Sequence, residues 1–230
     1  MKIHRFIGDF DFRSPTLNIT DENIVHQISR VLKLKNGEKI ILGDGNRNEI
    51  EGEITGIERN SIKIKVNKKY KNTNESDKHV RLYCAILKKE NFELVVQKAT
   101  EIGVSEIIPI ITDRTIKTSL KYERLQSIVH EASELSGRGI IPIIREATSY
   151  KIAILEENET KIFFDISGEI FNEKKTLNSK NISIYIGPEG GWTEEEHDLA
   201  KENGCMEISL GKLTLRGETA AIIASYLALK

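Results

Sequence analysis

The stretch Ile182-Ser183-Ile184-Tyr185-Ile186-Gly187-Pro188-Glu189-Gly190-Gly191-Trp192-Thr193-Glu194-Glu195-Glu196 decides the fold. Its first five residues form an apolar strand that breaks at Gly187-Pro188, and Thr193 with Glu196 then supplies a capping box for a helix. A ligand at the carboxyl end of such a strand meets bare main chain and a helix N-terminus. The adjacent Gly190 and Gly191 let the backbone approach a flat or anionic group. The loop is neither a Walker loop, since no GK[ST] follows, nor a GxGxxG fingerprint. A plain tight turn between strand and helix satisfies the same spacing.

Outward from this point the chain alternates. RLYCAIL, EIIPIIT, KIFFDI, ISIYI and MEISL read as strands, and NFELVVQKATEIG, KYERLQSIVHEASELSG, TEEEHDLAKENG and the segment ending at Lys230 read as helices. That order predicts an α/β fold with a largely parallel sheet. Asn91 is placed to open one helix and Gly103 to close it, and Gly204 follows Asn203 as a C-terminal stop. A second glycine loop, LGKLTLRGETAA, follows MEISL, with Gly211 and Gly217 on either side of Arg216 and Glu218-Thr219 at the head of the last helix. Two such loops at one sheet edge make a cofactor cleft. The final helix, AAIIASYLAL, is apolar on nearly every side and needs cover from its own sheet or from another subunit.

The region before this alternation reads differently. KIHRF, EKIIL, EIEGEITGI and SIKIKV are short strands separated by turns, which predicts a small antiparallel β-unit over 1–72. One helix inside it is capped by Thr20, with Ile24, Ile28, Val31 and Leu32 on one face. Residues 73–79 are polar and read as a linker, leaving 80–230 as the second domain. Residues 1–79 carry fifteen Lys/Arg against twelve Asp/Glu, whereas 80–230 carry nineteen against twenty-three. In SIKIKVNKKYK no acid occurs, so Lys63 and Lys65, with Lys68 beyond them, are candidates for phosphate contacts. Ile62, Ile64 and Val66 alternate with Lys63 and Lys65, which equally fits a half-buried strand with a solvated face.

Composition excludes several classes. With 39% hydrophobic and 30% charged residues among 230, and only 4 prolines, the chain is neither disordered nor collagenous. No apolar run approaches the roughly 18 residues of a membrane span, and the start MKIHRFIGDFDFR has no secretory core, so a cytoplasmic location and no membrane partner are expected. Cys84 and Cys205 stand apart from any metal or disulfide spacing, and His130-Glu131 fails as HExxH because position 134 is Glu. No metal is expected. The absence of a GxSxG elbow disfavours a serine hydrolase. Arg114 follows the strand EIIPIIT and Arg138 follows a helix stop, so both are candidates to project from the sheet edge toward a substrate, or to be ordinary surface charges.

QKATEIGV at 97–104, EASELSGR at 131–138, IGPEGGWTEEE at 186–196 and LGKLTLRGETAA at 210–221 together resemble the RsmE-type methyltransferases of the SPOUT superfamily, which methylate N3 of one uridine in bacterial 16S ribosomal RNA. An N-terminal HxxxRVLKLKxGxxIxLxDG, from His26 to Gly45, is similar to that family's PUA-like β-barrel, an RNA-binding module. The resemblance implies a C-terminal SPOUT domain with a trefoil knot, S-adenosyl-L-methionine as cofactor, 16S rRNA or the small ribosomal subunit as partner, and a homodimer. It places the cofactor-binding residues at Gly187, Gly190, Gly191, Ile208, Leu210, Gly211, Leu215 and Thr219. It places Arg216 and Glu218 beside the transferred methyl as catalytic residues. Leu135 and Leu213 depart from the family's usual Gln and Arg.

Methyl transfer from a sulfonium needs alignment rather than a metal, while uracil N3 must lose a proton. Glu218 is the candidate base and Arg216 the candidate stabiliser of the resulting charge. A carboxylate in a first helical turn also simply complements the helix dipole. Two other readings remain: an RNA-binding module that has lost catalysis, suggested by Leu213, and a nucleotide-binding enzyme that cradles phosphate on GPEGG. The second lacks the acidic ribose contact at its usual spacing.

Overall fold

A computed structural model describes residues 3–116, 118–157, 160–172 and 179–230. They fall into two compact units, Met1–Glu75 with Ser133–Ile141, and Ser76–Ala132 with Pro142–Lys230. The segment 133–141, which the sequence puts in the second region, therefore packs with the first.

In the first unit, strands β1 (His4–Ile7), β2 (Thr16–Ile19), β3 (Lys39–Gly43), β4 (Asn48–Ile57) and β5 (Ile62–Lys71) form a sheet in the order β1-β3-β4-β5-β2. Four strands pair antiparallel, but β1 lies parallel to β3. The expected all-antiparallel unit is thus corrected. Between β1 and β3 the chain makes strand β2 and a helix, the long crossover that parallel neighbours require. That helix, α1 (Glu22–His26), is capped by Asp21 rather than Thr20: the Asp21 carboxylate accepts the amide of Ile24 at 3.0 Å. It continues as a π turn over Gln27–Val31. Along β5, Ile62 and Ile64 are fully buried while Lys63 and Lys65 face out, so period-2 burial sets the register. The core joins Ile28, Ile40, Leu42, Ile50 and Ile54 to this pair.

The second unit is a parallel sheet. Its strands β6 (His79–Ala85), β7 (Glu106–Ile111), β8 (Ile143–Ile144), β9 (Thr148–Ser149), β10 (Thr160–Ile170), β11 (Asn181–Ile186) and β12 (Met206–Ser209) run in the order β12-β10-β11-β6-β7-β8, with β9 also on β7. Every pairing among the described residues is parallel. Such strands are buried on both faces, which explains continuous apolar runs such as Ile182, Ile184, Tyr185 and Ile186. The helices are α2 (Lys89–Ile102), α3 (Tyr122–Ser136), α4 (Tyr150–Ala153), α5 (Glu194–Glu202) and α6 (Gly217–Leu229). Helix α2 starts at Lys89, with Lys88 as an N-cap that makes no side-chain bond, so Asn91 lies in the first turn instead of opening the helix. Gly103 and Gly204 are left-handed (φ 113° and 71°), and the Thr193–Glu196 capping box is present, as the sequence predicts.

The chain lays β6 and β7 outward in one direction, then returns so that β11 joins the other side of β6. That reversal opens a crevice beyond the carboxyl ends of the strands.

Candidate functional site

A cavity of about 680 Å³ fills that crevice. It is lined by the ends of four parallel strands and the loops that leave them: Lys88 and Asn91 after β6, Phe164–Ile166 on β10, Ile186–Trp192 after β11, and Ile208–Gly211 with Leu213–Glu218 after β12. Its size is within the range of small-molecule sites, and its walls mix apolar side chains with main chain and a few charges.

Of the residues expected to hold a cofactor, Gly187, Gly190, Gly191, Ile208, Leu210, Gly211 and Leu215 line this cavity. Thr219 does not; it sits in the first turn of α6, beside the lining residues Glu218 and Ala220. Gly191 and Gly211 have φ of 70° and 136°, so both loops need a residue without a Cβ. A Cβ on Gly211 would meet no atom within 4 Å, and one on Gly190 would make ordinary contact with the Cβ of Arg114 at 3.4 Å.

Arg216 and Glu218 are together in the cavity. The Arg216 side chain is 84% exposed, and its Nη1 stands 3.9 Å from Glu218 Oε1. Glu218 is buried, and its Oε2 has no hydrogen-bond partner among the described residues. A buried carboxylate oxygen without a donor is costly unless something else supplies one. Cys84, fully buried nearby, has its thiol pushed well up by burial first and then by the charges of Glu189 and Glu218, so it stays protonated and unreactive. Glu189 accepts the Lys88 amide at 3.2 Å, which ties the loop after β11 to the end of β6.

The remaining expected contacts are dispersed. Arg114 sits at the glycine loop, with Nη1 donating to the carbonyls of Gly190 at 2.8 Å and Trp192 at 2.9 Å. Arg138 does not project from the sheet edge. It is 5% exposed, belongs to the first unit, and donates to Glu75 from Nη2 at 2.9 Å. Glu75 also accepts the amides of Gly139 and Ile140, so the polar residues read as a linker hold a buried knuckle of chain instead. Lys63 and Lys65 are exposed on β5, and Lys63 Nζ pairs with Glu58 at 2.6 Å. Leu213 is 80% exposed at the cavity rim, and Leu135 is 63% exposed on α3. The sequence reading gave Asn91 only a capping role and passed over Lys88 and Asp165. Their signal was the strand order, because β6 and β10 flank β11 and their ends must reach the same crevice.

The fold and the crevice define an α/β protein with a small-molecule site at its strand ends, and family models give its class. Residues 74–229 match the RNA methyltransferase domain and residues 19–67 the RNA methyltransferase PUA domain. Within that class the chain belongs to the ribosomal RNA small subunit methyltransferase E family. It is 31% identical to the protein of that name from Rickettsia conorii, over 97% of this chain and 94% of the relative. Two solved structures are similar throughout. The ribosomal RNA small subunit methyltransferase E from Neisseria gonorrhoeae, bound to S-adenosyl methionine, is 30% identical with a TM-score of 0.89, covering 97% of this chain and 95% of that one. A methyltransferase of Legionella pneumophila in complex with the same cofactor is 25% identical with a TM-score of 0.90, covering 99% and 97%. No helix among the described residues is long and apolar enough to cross a membrane.

Proposed function

We propose that the protein transfers the methyl group of S-adenosyl-L-methionine to N3 of one uridine in the 16S rRNA of the small ribosomal subunit. The observation that carries this is Glu218 Oε2, buried without a donor in a cavity walled by two glycine loops and flanked by Arg216. The cavity suits the cofactor. Ile186, Ile208, Leu210 and Leu215 offer apolar wall for a flat purine, the backbone of 187–191 and 208–211 offers hydrogen bonds, and Glu189 and Glu218 offer negative charge to a cation.

When bound, S-adenosyl-L-methionine supplies a methyl group on a sulfonium, open to in-line displacement without a metal. The chain's residues do the rest. Glu218 Oε2 takes the proton that leaves N3, and the Arg216 guanidinium stabilises the negative charge that then spreads over the two flanking carbonyls. Arg216 is exposed enough to meet a base brought in from outside. The target nucleotide must leave its stack to reach the cavity. Lys63 and Lys65 of the first unit hold RNA backbone meanwhile. In this reading the two glycine loops belong to a trefoil knot, and the protein works in the cytoplasm as a homodimer. Helix α6 supports the dimer, since Ile223 and Tyr226 are 37% and 59% exposed on a helix with no charge beyond Glu218 before its C-terminal Lys230.

The test is incubation with methyl-labelled S-adenosyl-L-methionine and small ribosomal subunits lacking the modification, followed by nucleoside analysis. Label in N3-methyluridine is expected. Label in another nucleoside, or none, refutes the reading.

A further inference from the structure

Arg114 lies in the loop after β7, outside the two glycine loops that line the cavity, yet it makes both of its protein hydrogen bonds to one of them. Its Nη1 bridges the carbonyls of Gly190 and Trp192 at 2.8 and 2.9 Å. The residue before it is tied to the same junction: the amide of Asp113 donates to Glu196 Oε1 at 3.0 Å, while Glu196 Oε2 accepts the amide of Thr193 at 2.9 Å. Glu196 is 2% exposed, so this anchor is buried. Gly190 also faces this side chain: a Cβ there would lie 3.4 and 3.5 Å from the Cβ and Cδ of Arg114, in ordinary contact.

We infer that Arg114 is a positioning residue for the cofactor, one that fixes the carbonyls of Gly190 and Trp192 so that the rest of the 187–192 backbone keeps a shape complementary to it. This deepens the methyltransferase reading and rests on it. A loop with left-handed Gly191 has many conformations available, and a cationic donor on two of its carbonyls removes most of them before the ligand arrives. One guanidinium nitrogen carries two hydrogens in fixed directions. A lysine ammonium reaches the same carbonyls without that geometry and restores only part of the effect.

The test separates this role from contact with RNA. In Arg114→Ala, calorimetry with S-adenosyl-L-methionine and no RNA should show affinity reduced about tenfold, the worth of one charge-assisted hydrogen bond. Arg114→Lys should fall between Ala and wild type. Hydrogen exchange of the free protein should speed up at the amides of 190–193 and stay unchanged in the first unit. RNA affinity and turnover at saturating cofactor should both hold. Unchanged cofactor affinity in Arg114→Ala overturns the inference, and so does a loss confined to RNA affinity, which would make Arg114 a substrate contact. If wild type binds neither S-adenosyl-L-methionine nor RNA, the methyltransferase reading falls and this inference with it.

Discussion

One buried carboxylate of the second unit is treated in the opposite way to those of the first. In the first, Glu49 is 2% exposed and accepts from Arg5 Nε at 3.1 Å and Asn72 Nδ2 at 2.8 Å, while Glu75 takes Arg138 and two backbone amides. In the second, Glu196 is filled in the same way by the amides of Asp113 and Thr193, but Glu218, 7% exposed, leaves Oε2 without a donor among the described residues. A carboxylate whose lone pairs are filled by its own chain holds that chain together. One left open at a cavity wall waits for a donor from elsewhere. A buried glutamate whose lone pairs are filled, as at Glu49, Glu75 and Glu196, serves the structure, and the proposed catalytic role falls on Glu218, which is left open.

This contrast can be broken most forcefully on the structural side. Glu75→Ala removes the buried carboxylate that the Arg138 guanidinium and the amides of Gly139 and Ile140 share, and should cost about 3–5 kcal/mol. Denaturant melts of the full chain would show it. A loss below about 1 kcal/mol would mean that water replaces Glu75 and the network is not structural. Next in size, Arg216→Ala should lower turnover roughly 10²-fold while cofactor affinity changes little, as loss of a preorganised donor does. An Arg216→Ala enzyme that chiefly loses cofactor affinity would make Arg216 part of the binding wall.

A smaller effect is expected from the basic strand. Lys63→Glu, Lys65→Glu and Lys68→Glu together should weaken RNA binding and flatten its salt dependence without touching S-adenosyl-L-methionine binding. The change is modest because Lys63 already pairs with Glu58 and the Lys68 ammonium lies 5.5 Å from the ring of Tyr70. Filter binding across a salt series measures it, and an unaltered slope would return these lysines to a solvated strand face.

What the sequence made legible follows from the range of each interaction. The capping box at Thr193, the stops at Gly103 and Gly204 and the burial of Ile62 and Ile64 are set by neighbours a few residues away, and a pattern reader sees them. The parallel pairing of β1 with β3 is not local, because it depends on where the crossover lands. Arg114 and Arg138 looked equivalent for the same reason. Each follows a regular element and precedes a turn, and only the fold brings Gly190 to one and Glu75 to the other. The glycine loops were legible as a cleft, but the side chain beside Gly190 was not, since it comes from a loop 76 residues earlier. Likeness to a known family located Arg216 and Glu218. Their exposure and missing partner came from the packing of α6.

The most direct test of the account is Glu218→Gln, measured twice in the same preparation. Removing a buried charge that its own chain leaves half-partnered should keep or raise the melting temperature, as active-site neutralisations often do. Single-turnover methyl transfer to small-subunit RNA should meanwhile fall roughly 10²-fold or more, because the group that accepts the N3 proton is gone. A Glu218→Gln enzyme with wild-type rate and pH dependence, or one that melts lower, would show that the Glu218 carboxylate serves the helix rather than the reaction.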